Sequence, residues 1–326
     1  MNITRRKFAA GSLAIGAWPG RVLAQDPWPS RPLRIISGGS AGGGSDMFVR
    51  AVEARLRERL GQSLYIDNKP GAGGMLAAGL TSSAPPDGYT YYVSNVATNA
   101  IGLALYAKPT FDPVKDLPGV ARISTMTNAV VVRADSGIKS IGELIVYMKA
   151  NPEKVFFGSA GVGTSSHLGG HLFVQRVGVP GKHVPYKGTA ANVTALLGGE
   201  VLFSMDNLPL YVQHVKAGKL RLLAVTQSRR SQSFPDVPTV QEAAGIGEFD
   251  IFSWYGLSAS TGTPKAILEK FGGEIVSALK DPGIAAAVRE LGAEPAPLGP
   301  AEYQAFVQDE IRKWAPIVKS SGASVS

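Results

Sequence analysis

The segment Gly38-Gly39-Ser40-Ala41-Gly42-Gly43-Gly44-Ser45-Asp46 has the residue types needed to hold an anion. Glycines let the backbone come close to a ligand and turn its N–H groups inward. A helix beginning just beyond them adds partial positive charge. A Walker-type phosphate loop also needs Lys followed by Ser or Thr. No Lys or Arg lies between Arg34 and Arg50, and the glycine spacing is not the GxGxxG of a dinucleotide fold. Ser40, Ala41, Gly42 and Gly43 are therefore candidates for contact with a carboxylate, and Asp46 either caps the helix or reaches the ligand. The same residues also fit the GxSxG turn that exposes a nucleophile between strand and helix, with Ser40 as the nucleophile of a secreted serine hydrolase. This reading is the weaker one. The preceding strand is the first of the chain body, and none of His167, His171, His183 and His214 lies in a late loop where the base is expected.

A second loop, Gly158-Ser159-Ala160-Gly161-Val162-Gly163-Thr164-Ser165-Ser166-His167, has the same chemistry, with small residues, hydroxyl donors and no fixed cation. Ser159, Gly163, Thr164 and Ser165 join the candidates, and the Thr/Ser run suits a helix N-cap. Met205-Asp206-Asn207 offers polar groups just past a strand. Asn95, Tyr186 and Asp206 complete the ligand-binding set, and Trp254 and Tyr255 either line a cleft or pack at a hinge. His167 and His171 are four apart but have no HExxH acid, so they read as a structural pair. With no cysteine in the chain, thiolate metal sites and disulfides are excluded, and no catalytic residue, cofactor or metal is expected.

These loops need strands and helices to aim them. Pro32–Ser37 reads as a buried strand, and Asp46–Leu60 as a helix with Phe48, Val52, Leu56 and Leu60 on one face. Leu64–Ile66 and Tyr89–Val93 are predicted strands, and Met75–Ser82 and Ala97–Tyr106 are predicted helices. A second set follows Asp112-Pro113, with strands at Ala129–Arg133, Lys154–Gly158, His183–Tyr186, Val201–Met205 and Leu220–Thr226. Helices fall between them at Ile141–Ala150, Ser165–Val177, Thr189–Leu197 and Pro209–Ala217. Phe249–Ser258 returns as a strand, and Pro264–Leu279, Ile284–Leu291 and Pro300–Lys319 are helices packing back on the first lobe. The alternation predicts an α/β fold of two lobes. Lobe 1 comprises residues 25–126 and 253–326, and lobe 2 residues 127–252.

The 326 residues, 44% hydrophobic and 18% charged, are enough for two such units. Residues 1–24 are read as an export signal of twin-arginine type, with Arg5-Arg6-Lys7 ahead of a short apolar stretch and Val22-Leu23-Ala24 before the cut. Removing Arg5, Arg6, Lys7 and Arg21 lowers the net charge from +8 to +4. The densest remaining basic cluster, Arg50 to Arg59, is interleaved with Glu53 and Glu58. That pattern is a solvated helix face, not a nucleic-acid surface.

Several segments resemble the Bug-type periplasmic solute-binding proteins that serve tripartite tricarboxylate transporters. They include Trp28-Pro29-Ser30-Arg31-Pro32, Gly42-Gly43-Gly44-Ser45-Asp46, Asn68-Lys69-Pro70-Gly71-Ala72-Gly73-Gly74 and Pro86-Asp87-Gly88-Tyr89-Thr90. Phe111 to Asp116, Gly163 to Leu168, Val184 to Gly188, Ala217 to Arg221 and Pro235 to Thr239 continue the likeness in order. The resemblance implies two α/β lobes joined by a two-strand hinge, of the type II periplasmic binding protein kind, closing over a small carboxylate. It also implies a periplasmic location, membrane transporter subunits as partners and a monomeric receptor. Contact roles carry over to Ser40, Gly42, Gly43, Thr164, Ser165 and Asp206. Where relatives have Pro-Phe-Ala-Pro, this chain has Gly38-Gly39-Ser40-Ala41. That departure is expected to open space beside the ligand for an aromatic dicarboxylate, and Val162 in place of a common Asn is expected to act in the same direction.

Overall fold

The computed structural model describes residues 28–42 and 44–325, so the expected export signal and Gly43 lie outside the described residues. The first elements are β1 (Leu33–Ser37), α1 (Gly44–Leu60), β2 (Leu64–Asn68), α2 (Met75–Ser82), β3 (Thr90–Asn95) and α3 (Gly102–Leu105). Next come β4 (Gly119–Arg133), α4 (Ile141–Ala150), β5 (Phe156–Ser159), α5 (Ser165–Arg176), β6 (Lys182–Pro185), α6 (Thr189–Gly198), β7 (Phe203–Asn207), α7 (Pro209–Lys216) and β8 (Leu220–Val225). The chain ends with α8 (Val240–Ala244), β9 (Phe252–Ala259), α9 (Lys265–Ala278), α10 (Pro282–Glu290), β10 (Glu294–Leu298) and α11 (Pro300–Ser321).

The strands run in the order β2-β1-β3-β9-β4-β7-β5-β6, with β8 and β10 also paired to β4. β1 is parallel to β2 and β3, and β5 is parallel to β6 and β7, so each lobe keeps a small parallel core. The lobes share β4. Its first half, Gly119 to Thr127, pairs with β9, and from Asn128 onward it pairs with β7 and β8. The second crossing comes at Thr226 and Ile251. Thr226 N donates to Asn128 O at 3.0 Å and Ile251 N to Thr226 O at 3.0 Å, tying the two crossings together.

The helical faces follow the sequence. Phe48, Val52 and Leu56 of α1 are fully buried with Leu33, Ile35 and Val93 in the first lobe's core. Burying each such side chain stabilises by about 1.5–3 kcal/mol before entropy is counted. The second lobe centres on Val130, Leu144, Phe157, Phe173 and Phe203. Trp254, Tyr303, Trp314 and Val318 belong to that same cluster, so α11 joins both lobes instead of packing on the first alone.

Three elements differ from expectation. β4 starts at Gly119, ten residues before the predicted strand, because Gly119–Met126 is buried on both faces and shows no alternation. β10, with sequence EPAPL, was not predicted; its prolines are tolerated where it pairs with β4 in a broken register. α8 (Val240–Ala244) was not predicted either, whereas Ala97–Ile101 is a π-helical turn whose backbone continues unbroken into α3, as the predicted helix requires.

Candidate functional site

Three glycine-containing turns and the hinge face a cavity of about 300 Å³ between the lobes. The first lobe supplies Gly38, Gly39, Ser45, Gly73, Gly74 and Asn95 to Ala97. The second supplies Ala160, Thr164 to Ser166, Asp206 and Asn207, and Ser253 to Tyr255 lie at the crossing. Among the described lining residues there is no Lys, Arg or His.

The β1–α1 turn is built by its acid. Asp46, 1% exposed, accepts from Gly42 N at 2.9 Å and from Arg50 Nε at 2.9 Å. The Arg50 hydrogen bond holds this carboxyl below the usual range, so it remains a charged clamp. Gly42 adopts φ +74°, a region that disfavours side chains. Gly38 packs directly on Gly74, where a Cβ would come within 2.6 Å of Gly74 Cα. A Cβ on Gly39 would run into the Ser45 hydroxyl, which instead bonds Ser37 Oγ at 2.9 Å and lines the cavity. The two glycines therefore do not leave the open space expected of them. The Gly73-Gly74 turn and Ser45 fill it.

The β5–α5 turn is held from within. Thr164 caps α5 by accepting from His167 N and donates to Gly161 O at 2.7 Å. Ser166 Oγ accepts from Ala160 N at 3.0 Å. Behind the turn, His167 stacks on His183 with ring centroids 3.8 Å apart and accepts from Gly163 N at 3.2 Å. His183 Nε2 lies 2.5 Å from Ser159 Oγ. Burial, with a smaller contribution from His171, lowers His167 to about 4. Burial and then His167 lower His183 to about 3. Both rings are neutral supports.

The floor is a relay of neutral groups. Asn128 Nδ2 donates to Ser165 Oγ at 3.3 Å, Ser165 Oγ lies 3.0 Å from Ser253 Oγ, and Ser253 Oγ donates to Asn207 Oδ1 at 3.0 Å. Asp206, 1% exposed, accepts from Asn207 N at 2.8 Å and from Asn192 Nδ2 at 3.0 Å. Burial raises its carboxyl above the ordinary range despite these donors.

Of the residues expected at the site, Asn95, Thr164, Ser165 and Asp206 meet at the cavity. Ser40, Ala41 and Gly42 sit exposed on its rim, and Asp46 points back to Arg50. Ser159 is turned to His183, and Tyr186 donates to Glu200 Oε2 at 3.0 Å, outside the cavity. Gly163, at φ +75°, packs on Leu105 of α3, so the lobes touch there. Val162 is 46% exposed and does not line the cavity, so it cannot make the wall less polar. Sequence reasoning missed Ser45, Gly73, Gly74, Ser166 and Ser253 as lining residues. The Gly71-Ala72-Gly73-Gly74 turn ahead of α2 carried the same signal as the other two turns. Ser40 is hydrogen-bonded to no histidine among the described residues, and His183, the histidine nearest to a serine hydroxyl, has no carboxylate partner there. Among the described residues no acyl-transfer site is assembled.

A larger groove of about 720 Å³ lies between α5 and α11, away from the turns; its acids and bases, Arg176, Glu248, Asp250 and Lys313, are of mixed sign.

Two α/β lobes sharing a long strand around a cavity of amides and hydroxyls define a periplasmic-type solute-binding protein. Residues 48–323 match the family model described as "Tripartite tricarboxylate transporter family receptor", and the chain belongs to that family. It is 32% identical over 326 residues to Protein BugT of Bordetella pertussis, covering 100% of both chains. The R. palustris protein Rpa4515, solved with adipate, superposes with a TM-score of 0.81 at 33% identity, over 91% of this chain and 99% of that one. MatC from Rhodopseudomonas palustris with bound malate gives a TM-score of 0.75 at 30% identity, over 89% and 100%.

Proposed function

We propose that this receptor captures a small carboxylate in the cavity between its lobes and delivers it to the membrane subunits of a tripartite tricarboxylate transporter. The observation that carries the reading is the cavity wall itself, which is made of turn amides, hydroxyls and helix N-termini from both lobes. Preorganised neutral dipoles bind an anion without the cost of desolvating a fixed cation. The adipate and malate of its structural relatives belong to the same chemical class. The chain acts as a monomer in the periplasm after export through residues 1–24. Closure bends the crossings near 126/127 and 252/253, which divide lobe 1 (25–126 and 253–326) from lobe 2 (127–252). An aromatic dicarboxylate is among the ligands proposed, now because the Tyr255 ring lies in the wall and not because the glycines open it.

Calorimetric titration of the purified protein with adipate, malate, citrate, glutamate, phthalate and terephthalate tests both levels. A saturable single site for at least one acid is expected, with a rise in Tm as ligand binds the folded state. Silence across the panel would overturn the carboxylate reading. Binding confined to the aliphatic acids would remove the aromatic one.

A further inference from the structure

The cavity contains one aromatic hydroxyl whose bonding differs from that of its counterparts. Seven of the ten tyrosines have hydroxyls that hydrogen-bond to protein. Tyr91 donates to Gly88 O, Tyr92 to Thr98 Oγ1, Tyr106 to Ala72 O and Tyr186 to Glu200, while Tyr89, Tyr211 and Tyr303 each meet a serine. Of the other three, Tyr65 is exposed and Tyr147 borders a shallow surface groove. Only Tyr255 lines the interlobe cavity, and among the described residues its hydroxyl has no partner. Nor is that oxygen among the sealed, unpaired polar atoms of the interior, so it keeps some accessible surface.

The ring is fixed. Phe48 of α1 packs on it with centroids 4.9 Å apart, and β9 places it opposite Asn95 of β3 and Ser124 of β4. Across the cavity stand Thr164 to Ser166 at the start of α5. Donors therefore face each other from two sides, one set gathered at a helix start and the other a single rigid phenol. Burial raises the Tyr255 phenol, so it remains a donor throughout the neutral range.

We infer that Tyr255 is the specificity-determining residue of the cleft. Its hydroxyl donates to the second, distal acid group of a diacid whose first carboxylate is held by the Thr164–Ser166 turn. This rests on the carboxylate reading above and adds a distinction within it, because a monoacid of the same length leaves the phenol unpaired. A hydrogen bond to a charged acceptor in a desolvated site is worth about tenfold or more in affinity.

The test compares Tyr255→Phe with the unaltered chain, using adipate against hexanoate and terephthalate against benzoate, with Tm recorded for both proteins. The variant keeps the ring and its contact with Phe48. For whichever diacid the unaltered chain binds, Tyr255→Phe is expected to lose at least tenfold in affinity. The loss for the matching monoacid should be under twofold, with Tm within a degree or two. Equal losses for diacid and monoacid would reduce Tyr255 to a packing residue, and undiminished diacid binding would overturn the inference while leaving the carboxylate reading intact. If the unaltered chain binds malate, citrate or glutamate but none of these four acids, the inference falls while the carboxylate reading stands.

Discussion

At the scale of the residue, Asp206 poses the sharpest electrostatic question, because it places a carboxyl in the wall of a site proposed for carboxylates. Its raised pKa answers it in part: below that value the group is neutral and can donate or accept, and above it the anion repels the ligand. Ligand affinity is therefore expected to fall as pH rises through the raised Asp206 value. Asp206→Asn is expected to flatten that dependence. Asn192, whose Oδ1 lacks a partner in the present arrangement, can turn to accept from the new amide. Titrations of both proteins from pH 5 to 9 make the comparison; parallel slopes would show that Asp206 does not govern the pH response. Asp46 illustrates the opposite environment. It is as deeply buried, but Arg50 keeps it ionised and its role is to shape the turn.

At the scale of the element, the β5–α5 turn does two jobs. It presents Thr164 to Ser166 to the cavity, and it meets the other lobe through Gly163 and Leu105. Any side chain at 163 faces both a positive φ and the Leu105 methyls. Gly163→Ala should weaken ligand binding by about tenfold, combining roughly 1 kcal/mol of backbone strain with obstruction of the contact. Adding Leu105→Ala should recover part of that loss, since residues in contact are not additive. Unchanged affinity in the single variant would mean that the two lobes need not touch here for binding. On the hinge side, Trp254 is anchored by α11, where Glu310 accepts from Trp254 Nε1 at 2.9 Å and from Trp314 Nε1 at 3.1 Å. One wall of the cavity thus depends on a helix at the far end of the chain.

At the scale of the whole molecule, the stacked histidines couple the site to global stability. His167 has an ordinary value of 6.5 and is lowered to about 4 in the fold. The unfolded chain takes up a proton first as pH falls, so the stability from the neutral ring is full above 6.5 and is lost on the way down to about 4. Between pH 6.5 and 5, above the range of ordinary carboxylates, His167 alone should cost about 2 kcal/mol. His183, lowered further, acts in the same direction. Calorimetric melting across that interval should show a falling Tm, with a shallower fall in His167→Leu; a flat profile would contradict the buried neutral pair. Among the described residues no helix is long and apolar enough to cross a membrane.

The sequence by itself determined the local grammar. Glycine turns between apolar strands and amphipathic helices, with hydroxyls at the cap positions, specify anion-holding loops, because backbone freedom and helix starts are properties of neighbouring residues. It also carried the family likeness, which is a matter of motif order. What it could not determine was which groups in those loops turn inward. Ser40 and Asp46 have suitable chemistry, but one lies on the rim and the other is claimed by Arg50 four residues along. Ser253, Trp254 and Tyr255 look like ordinary strand residues and became part of the wall only because β9 pairs with β4 at the crossing. That pairing joins residues more than a hundred positions apart, and no periodicity along the chain encodes such a distance. Tertiary packing therefore decided the membership of the site, since burial and orientation depend on which surfaces the folded elements press together.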